Sequence, residues 1–318
     1  MAKRKGKAKS RKKKSQGPSW VSVIRRTFVL AALLVICFIG VLYVYNYLYP
    51  ASEKKTVVVE QKKPAAPVSP SVPGEIKPSV PKAATFKIPA NAEIPKLHAK
   101  RSEQVIRHEG YTVSYNSDYK IANWVAYELT GEEAKSKKAE RSNKFVPDPA
   151  VKGATATNED YTRTGYDRGH LAPAGDMKWS TKAMRESFYF SNICPQKPGL
   201  NRGIWKDLEE QSRLWARDYG SLLIATGPVI TDSMKQMGKN RVGVPGAFYK
   251  VICYVSGNEY KAIAFILENR DYKKTALKSM AIPVDSVEKV TGIDFFPAVP
   301  DEQEKRMEAK IDWDSWSF

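Results

Sequence analysis

The residues of this chain that could do chemistry fall in two short segments. One is Asp167-Arg168-Gly169-His170. The other runs from Asn201 through Arg202, Gly203, Ile204, Trp205, Lys206, Asp207 and Leu208 to Glu209, with Arg213 one turn further on. His170 is a natural general base, because an imidazole is largely neutral near pH 7 and takes a proton from water. Arg168 carries a permanent planar charge whose donor fork matches phosphate. Gly169 lets the backbone approach closely or take a positive φ. The Asn201 carboxamide offers a neutral oxygen of the kind Mg²⁺ accepts when most of its other ligands are waters and substrate phosphate. Together they could support metal-assisted attack on a phosphodiester.

Each residue also has a purely structural reading. A lone histidine is ordinarily a satisfied structural residue, Asn201 suits a helix N-cap, and Glu209 with Arg213 would form a surface ion pair of about 0.3–0.5 kcal/mol. Arg141 sits in a basic stretch (Lys135, Lys137, Lys138, Lys144) that reads as a solvated loop. All of these readings holding at once is a much weaker account than one shared site. The only other histidines are His98 and His108, and there is no CxxC or HExxH, which argues against a multi-histidine zinc centre.

The elements that must position these groups are legible in outline. From Asn201 onward Ile204, Trp205, Leu208, Ser212, Trp215 and Tyr219 share one helical stripe, the expected buried face. Asn201 then stands at the helix start, and Glu209 and Arg213 edge the stripe. Tyr111–Tyr115 and Ala122–Leu129 read as strands joined by a turn at Asn116-Ser117-Asp118. Residues 131–158 read as a long polar loop, and Ser221–Ala225 as a short strand ending at Gly227-Pro228. Phe248–Val255 and Tyr260–Leu267 flank Ser256-Gly257-Asn258 as a hairpin at the middle of the sheet. Asp285 and Glu288 have capping-box spacing, with Gly292 closing that helix. Strands and helices mix without a βαβ alternation, so an α+β domain with a mainly antiparallel sheet is expected.

The N-terminal third is different in kind. Residues 1–26 carry eleven Lys or Arg and no acid, a solvated basic arm. Residues 27–49 hold no charged side chain. As a helix they span ~34 Å, enough for a ~30 Å hydrocarbon core. The run exceeds the ~7–15 residues of a signal-peptide core and no small-x-small site follows, so an uncleaved signal anchor is expected. Residues 50–96, with Pro64, Pro67, Pro70, Pro73, Pro78 and Pro81, read as an extended spacer, leaving 97–318 as the globular domain. The positive-inside rule keeps the arm in the cytoplasm. The expected location is the bacterial inner membrane, single-pass, with the domain periplasmic or extracellular. Of the formal charge of +18, residues 97–318 carry only +3, from 33 basic and 30 acidic residues. A large basic face is therefore not expected, only a local basic cleft with salt-dependent activity. Cys194 and Cys253 could form one disulfide or remain two buried thiols.

Residues 108–298 resemble the DNA/RNA non-specific endonucleases of the ββα-metal (His-Me finger) class. The resemblance rests on Tyr166-Asp-Arg-Gly-His-Leu-Ala-Pro173, Phe190-Ser-Asn-Ile-Cys-Pro-Gln196 and Leu200-Asn-Arg-Gly-Ile-Trp205, and on the relative spacing of Asn192, Asn201, Glu209 and Arg213. It implies that His170 deprotonates water for in-line attack on phosphorus. It implies Mg²⁺ at Asn201, with Mn²⁺ as a substitute, stabilising the leaving 3′ oxygen, and Glu209 holding the metal's waters. Arg141, Arg168 and Arg213 counter charge on the phosphorus, Asn192 positions the site and Asp167 orients the turn. The implied substrates are DNA and RNA, gripped by the sugar-phosphate backbone, and the implied products carry 5′-phosphate ends. Two other readings stay open at this stage: a small phosphodiester or nucleotide hydrolase on the same fold, and a tethered protein that binds nucleic acid without cutting it. The oligomeric state, a homodimer included, is also open.

Overall fold

A computed structural model of the protein describes residues 88–273 and 275–318. The expected arm at 1–26, the expected anchor at 27–49 and the spacer as far as residue 87 lie outside the described residues. Among the described residues no helix is long and apolar enough to cross a membrane. Residues 88–96, which composition assigns to the end of the spacer, already pack on the domain: Ala92 is buried and Ile88 and Ile94 lie against the same core cluster.

Among the described residues thirteen strands occur in chain order: β1 Lys96–Leu97, β2 Gln104–Arg107, β3 Thr112–Asn116, β4 Ile121–Thr130, β5 Asp167–His170, β6 Ile193–Gln196, β7 Ser221–Pro228, β8 Lys235–Met237, β9 Val242–Val244, β10 Ala247–Ser256, β11 Glu259–Glu268, β12 Ala281–Ile282 and β13 Ile293–Asp294. Seven of them form one sheet in the order β12-β11-β10-β7-β4-β3-β2, every neighbouring pair antiparallel. The α+β expectation is met. The expected hairpin is present as β10–β11, with Gly257 at φ 62° in its turn, but the middle of the sheet is β7 and the hairpin lies to one side. The turn after β3 is an Asx turn, in which Asn116 Oδ1 accepts from the amides of Asp118 and Tyr119 at 3.0 and 3.2 Å.

Side-chain alternation gives the sheet two buried faces. Phe248, Ile252 and Tyr254 of β10 face a core shared with the long helix Trp205–Tyr219, whose Trp205, Leu208 and Trp215 are fully buried. Tyr249, Val251 and Cys253 face the opposite core, closed by the helices Val284–Thr291 and Asp301–Ala309 through Val284, Val287 and Met307. Cys194 and Cys253 are free buried thiols in these two separate cores, which settles the disulfide question.

Two local expectations are corrected. The stretch 131–158 is not all loop: Thr130 caps a short helix, Gly131–Lys135, through a capping box with Glu133. The Asp285/Glu288 capping box does not form. The chain enters that helix from an extended Pro283, which puts Asp285 inside the first turn, and Glu288 accepts instead from the Phe295 amide at 2.7 Å. Gly292 does close the helix, at φ 66°.

Beside the sheet, His108 Nε2 donates to Asp148 Oδ2 at 2.9 Å and Ser191 Oγ to the same oxygen at 2.6 Å, all buried. Burial pushes the Asp148 carboxyl up, but bonds from His108, Ser191 and the Ala150 amide outweigh it and hold it below the usual carboxylate range. A folded-state value below the unfolded ~3.9 gives stability that is present above that pH and lost as pH falls through the lower folded value. Asp148→Ala should therefore cost about 3–5 kcal/mol at pH 7 by urea unfolding, and its stability should fall less steeply than wild type's below pH ~4.

Candidate active site

The two sequence segments meet in one ββα unit. β5 pairs with β6 antiparallel, with Asp167 opposite Gln196, Gly169 opposite Cys194 and His170 opposite Ile193. The chain then passes through a wide turn, Leu200–Ile204, whose break at Gly203 (φ −107°, ψ −122°) redirects it into the long helix. Asn201 is thus not the helix cap but lies in the turn before it. The buried stripe is as expected, and it ties the helix to the histidine strand: Trp205 Nε1 donates to the His170 carbonyl at 3.4 Å.

Gly169 matters through close approach, not through positive φ. A Cβ there would collide with the side chain of Gln196, which is fully buried and has neither amide atom hydrogen-bonded.

His170, the last residue of β5, is 7% exposed and its Nε2 is buried with no partner. Its ring lies edge-on to Phe188 (centroids 4.8 Å, 86°) and against Phe145 (5.6 Å). Burial first, and the Arg141 charge second, push its pKa down to about 3. The ring is neutral at ordinary pH, with a free nitrogen lone pair.

The arginines collect around the same two phenylalanines. Arg168 lies over the Phe145 ring at 4.9 Å and Arg141 over Phe188 at 5.0 Å. Arg141 is exposed and donates to Asn143 Oδ1 at 2.8 Å. Arg213 does not pair with Glu209 as its spacing suggests. It donates to Asp176 Oδ1 at 2.8 Å, while Tyr127 donates to Asp176 Oδ2 at 2.9 Å. Gly175 leaves the room for this, since a Cβ there would lie 2.8 Å from Arg213 Nη1.

Asp167 organises Asn201 and Arg202. Arg202 grips it with two bonds, 2.8 and 2.7 Å, and Asn201 Nδ2 donates to it at 3.0 Å. Burial would raise this carboxyl, but Arg202 and Asn201 outweigh it and hold it below its ordinary value. With the amide nitrogen committed to a carboxylate, Asn201 Oδ1 is the end left without a protein partner. One neutral oxygen, with the carboxyl of Glu209 on the helix that follows, fits a hard divalent cation and not a soft one. Asn192 is fully buried and bonds to protein throughout: Oδ1 accepts from the Ala172 amide, and Nδ2 donates to the carbonyls of Ala172 and Ser187. It braces the loop that follows His170 and offers nothing to a ligand.

Lys250 and Asp176 escaped the sequence reading. Lys250 is 1% exposed, its Nζ has no hydrogen bond, and it lies 5.1 Å over the Trp205 ring beneath the long helix. Its signal was present: in β10 it shares the inward face with Phe248 and Ile252, where a lysine is costly unless used. Burial lowers its pKa and Glu209 counters that. Burial pushes Glu209 up to about 8, with Lys250 the largest opposing influence and Asp176 adding to the rise. The two side chains hold each other's charge in a poorly solvated place.

A sequence model of the DNA/RNA non-specific endonuclease family matches residues 88–302. Human mitochondrial endonuclease G is 32% identical over 220 residues, covering 65% of this chain and 74% of its own. Nuclease C1 of Cunninghamella echinulata var. echinulata is 35% identical over 206 residues, 60% of this chain and 82% of its own. Among solved structures, the EndoG/EndoGI complex has a chain 32% identical at TM-score 0.60, covering 63% of this chain and 89% of that one.

Lys250→Met separates the site from the core. Removing a buried ammonium that makes no hydrogen bond relieves its desolvation but takes from Glu209 its main counter-charge, so stability should change by no more than about 2 kcal/mol, measured by urea unfolding. Nuclease activity should fall by about 10-fold or more, because Glu209 loses its main counter-charge.

Proposed function

We propose, from the premise that the chain belongs to the DNA/RNA non-specific endonuclease family, that it is a sugar-non-specific endonuclease using Mg²⁺, with Mn²⁺ as a substitute. Its nuclease domain would be held at the outer face of the bacterial inner membrane by residues 27–49. The observation that carries the catalytic reading is the His170 ring, held neutral by burial and the Arg141 charge and tied through its carbonyl to the helix that bears Glu209 and Arg213.

In this reading the neutral imidazole of His170 takes the proton from a water attacking phosphorus in line. Arg168 and Arg141 counter the charge that builds on the phosphoryl oxygens, and Arg213, steadied by Asp176, adds to the same field. Mg²⁺, when bound through Asn201 Oδ1, supplies positive charge and an acidified water at the leaving 3′ oxygen. Glu209, whose ionised form Lys250 favours, would hold that cation's waters, and Asp167 holds the Asn201 amide nitrogen so that its oxygen stays free. Cleavage on this side of phosphorus leaves 5′-phosphate ends. Recognition runs through phosphate and sugar, which supports action on both DNA and RNA. The membrane reading rests on the uncharged run at 27–49 behind a basic arm, neither of which lies in the family match.

The test is cleavage of supercoiled plasmid and of single-stranded RNA by wild type and His170→Ala, with Mg²⁺ or EDTA. Both substrates should be cut with Mg²⁺ and neither with EDTA, and His170→Ala should lose at least about 10²-fold. A folded wild type that cuts a dinucleotide but neither polymer would point instead to a small phosphodiester hydrolase.

A further inference from the structure

At the far face of the sheet from His170, the helices Val284–Thr291 and Asp301–Ala309 bring Asp285, Glu288 and Glu308 together. One carboxylate oxygen from each lies within 4.8 Å of the other two. Surface acids often cluster without consequence, but Glu308 is not a surface acid. It is 5% exposed, and its Oε1 is buried with no hydrogen-bond partner. Glu304, one turn earlier on the same helix, leaves a second carboxylate oxygen buried and unpaired.

Among the described residues no Lys or Arg forms an ion pair with Asp285, Glu288, Glu304 or Glu308. The nearest compensated acid, Asp294, is taken by His98 at 3.1 Å. Leaving buried carboxylate oxygens unsatisfied is costly, and like charges this close add to the cost. Burial and the surrounding carboxylates push Glu308 up to about 9.

We infer that Asp285, Glu288 and Glu308 form a binding site for one hard divalent cation of the size of Ca²⁺. A cation that takes oxygens at about 2.3–2.6 Å spans a set of oxygens up to about 5 Å apart, whereas Mg²⁺ at about 2.1 Å needs them closer. Asp285 is exposed and Glu288 half-buried, so waters can complete the shell. The buried Glu308 oxygen gains the partner the protein does not supply. Glu308 lies beyond the family match, which ends at 302. Its effect is to fasten the helix Asp301–Ala309, held otherwise through Met307 against Cys253 (3.8 Å), to the helix before it. The inference is independent of the catalytic reading.

The experiment is calorimetric titration of Ca²⁺ into the full-length chain carrying Asn201→Ala, which removes the active-site ligand, alongside thermal unfolding with and without Ca²⁺. One Ca²⁺ should bind with an accompanying rise in Tm. Adding Asp285→Asn should weaken binding at least ten-fold, and adding Glu308→Gln should abolish it. Asp285 is exposed, so its variant reads the site even if Glu308→Gln disturbs folding. No saturable binding up to about 10 mM, beyond the weakest ordinary Ca²⁺ sites, would overturn the inference, as would equal affinity in Asp285→Asn. So would Glu308→Gln raising Tm while the parent chain binds no Ca²⁺, the mark of a cluster held by protons.

Discussion

Desolvation of charged and titratable groups is the constraint on which the rest of this structure depends. His170 and Lys250 are buried and Glu209 half-buried, and each responds as burial dictates. The imidazole stays neutral, the carboxyl rises and the ammonium falls, while the last two restrain one another. Charges kept in such a place must be compensated by neighbours or used by a ligand. That accounts for the concentration of unusual residues at the join of β5, β6 and the long helix.

The same elements that bury these groups also orient them. Trp205 fills the core under the helix, lies edge-on to Phe248 at 5.8 Å, bonds the His170 carbonyl and forms the surface over which Lys250 rests. Phe145 and Phe188 wall the imidazole on one side and carry Arg168 and Arg141 on the other. The candidate catalytic groups His170, Arg141 and Arg168 are therefore positioned by packing, which is stiff, and not by long flexible contacts.

The strands, the buried helix stripe and the α+β class were legible because they rest on periodicity, which is local. So was the tie between the histidine strand and the long helix, through motif spacing. What sequence could not show was pairing across distance. Arg213 takes Asp176 and not the Glu209 one turn away. Asn201 is set by Asp167 and not by a helix end, and Asn192 spends its whole amide on backbone. Asp285 and Glu288 had the spacing of a cap, but the extended Pro283 moved the helix start. Lys250 was legible in principle as a lysine on the inward face of a strand, and it was passed over because the strand was read for its apolar residues.

The modest charge of the domain fits this picture: Arg141 and Arg168 rest on aromatic rings and Arg213 on a buried carboxylate. Its centre is the neutral histidine. The most direct test is the protonation state of His170, followed by the ¹⁵N chemical shift of its ring between pH 8 and 4, with His170→Ala assigning the signal among only three histidines. The account predicts a neutral imidazole across the whole range. Titration near the ordinary ~6.5 would show that His170 is solvated and would contradict it.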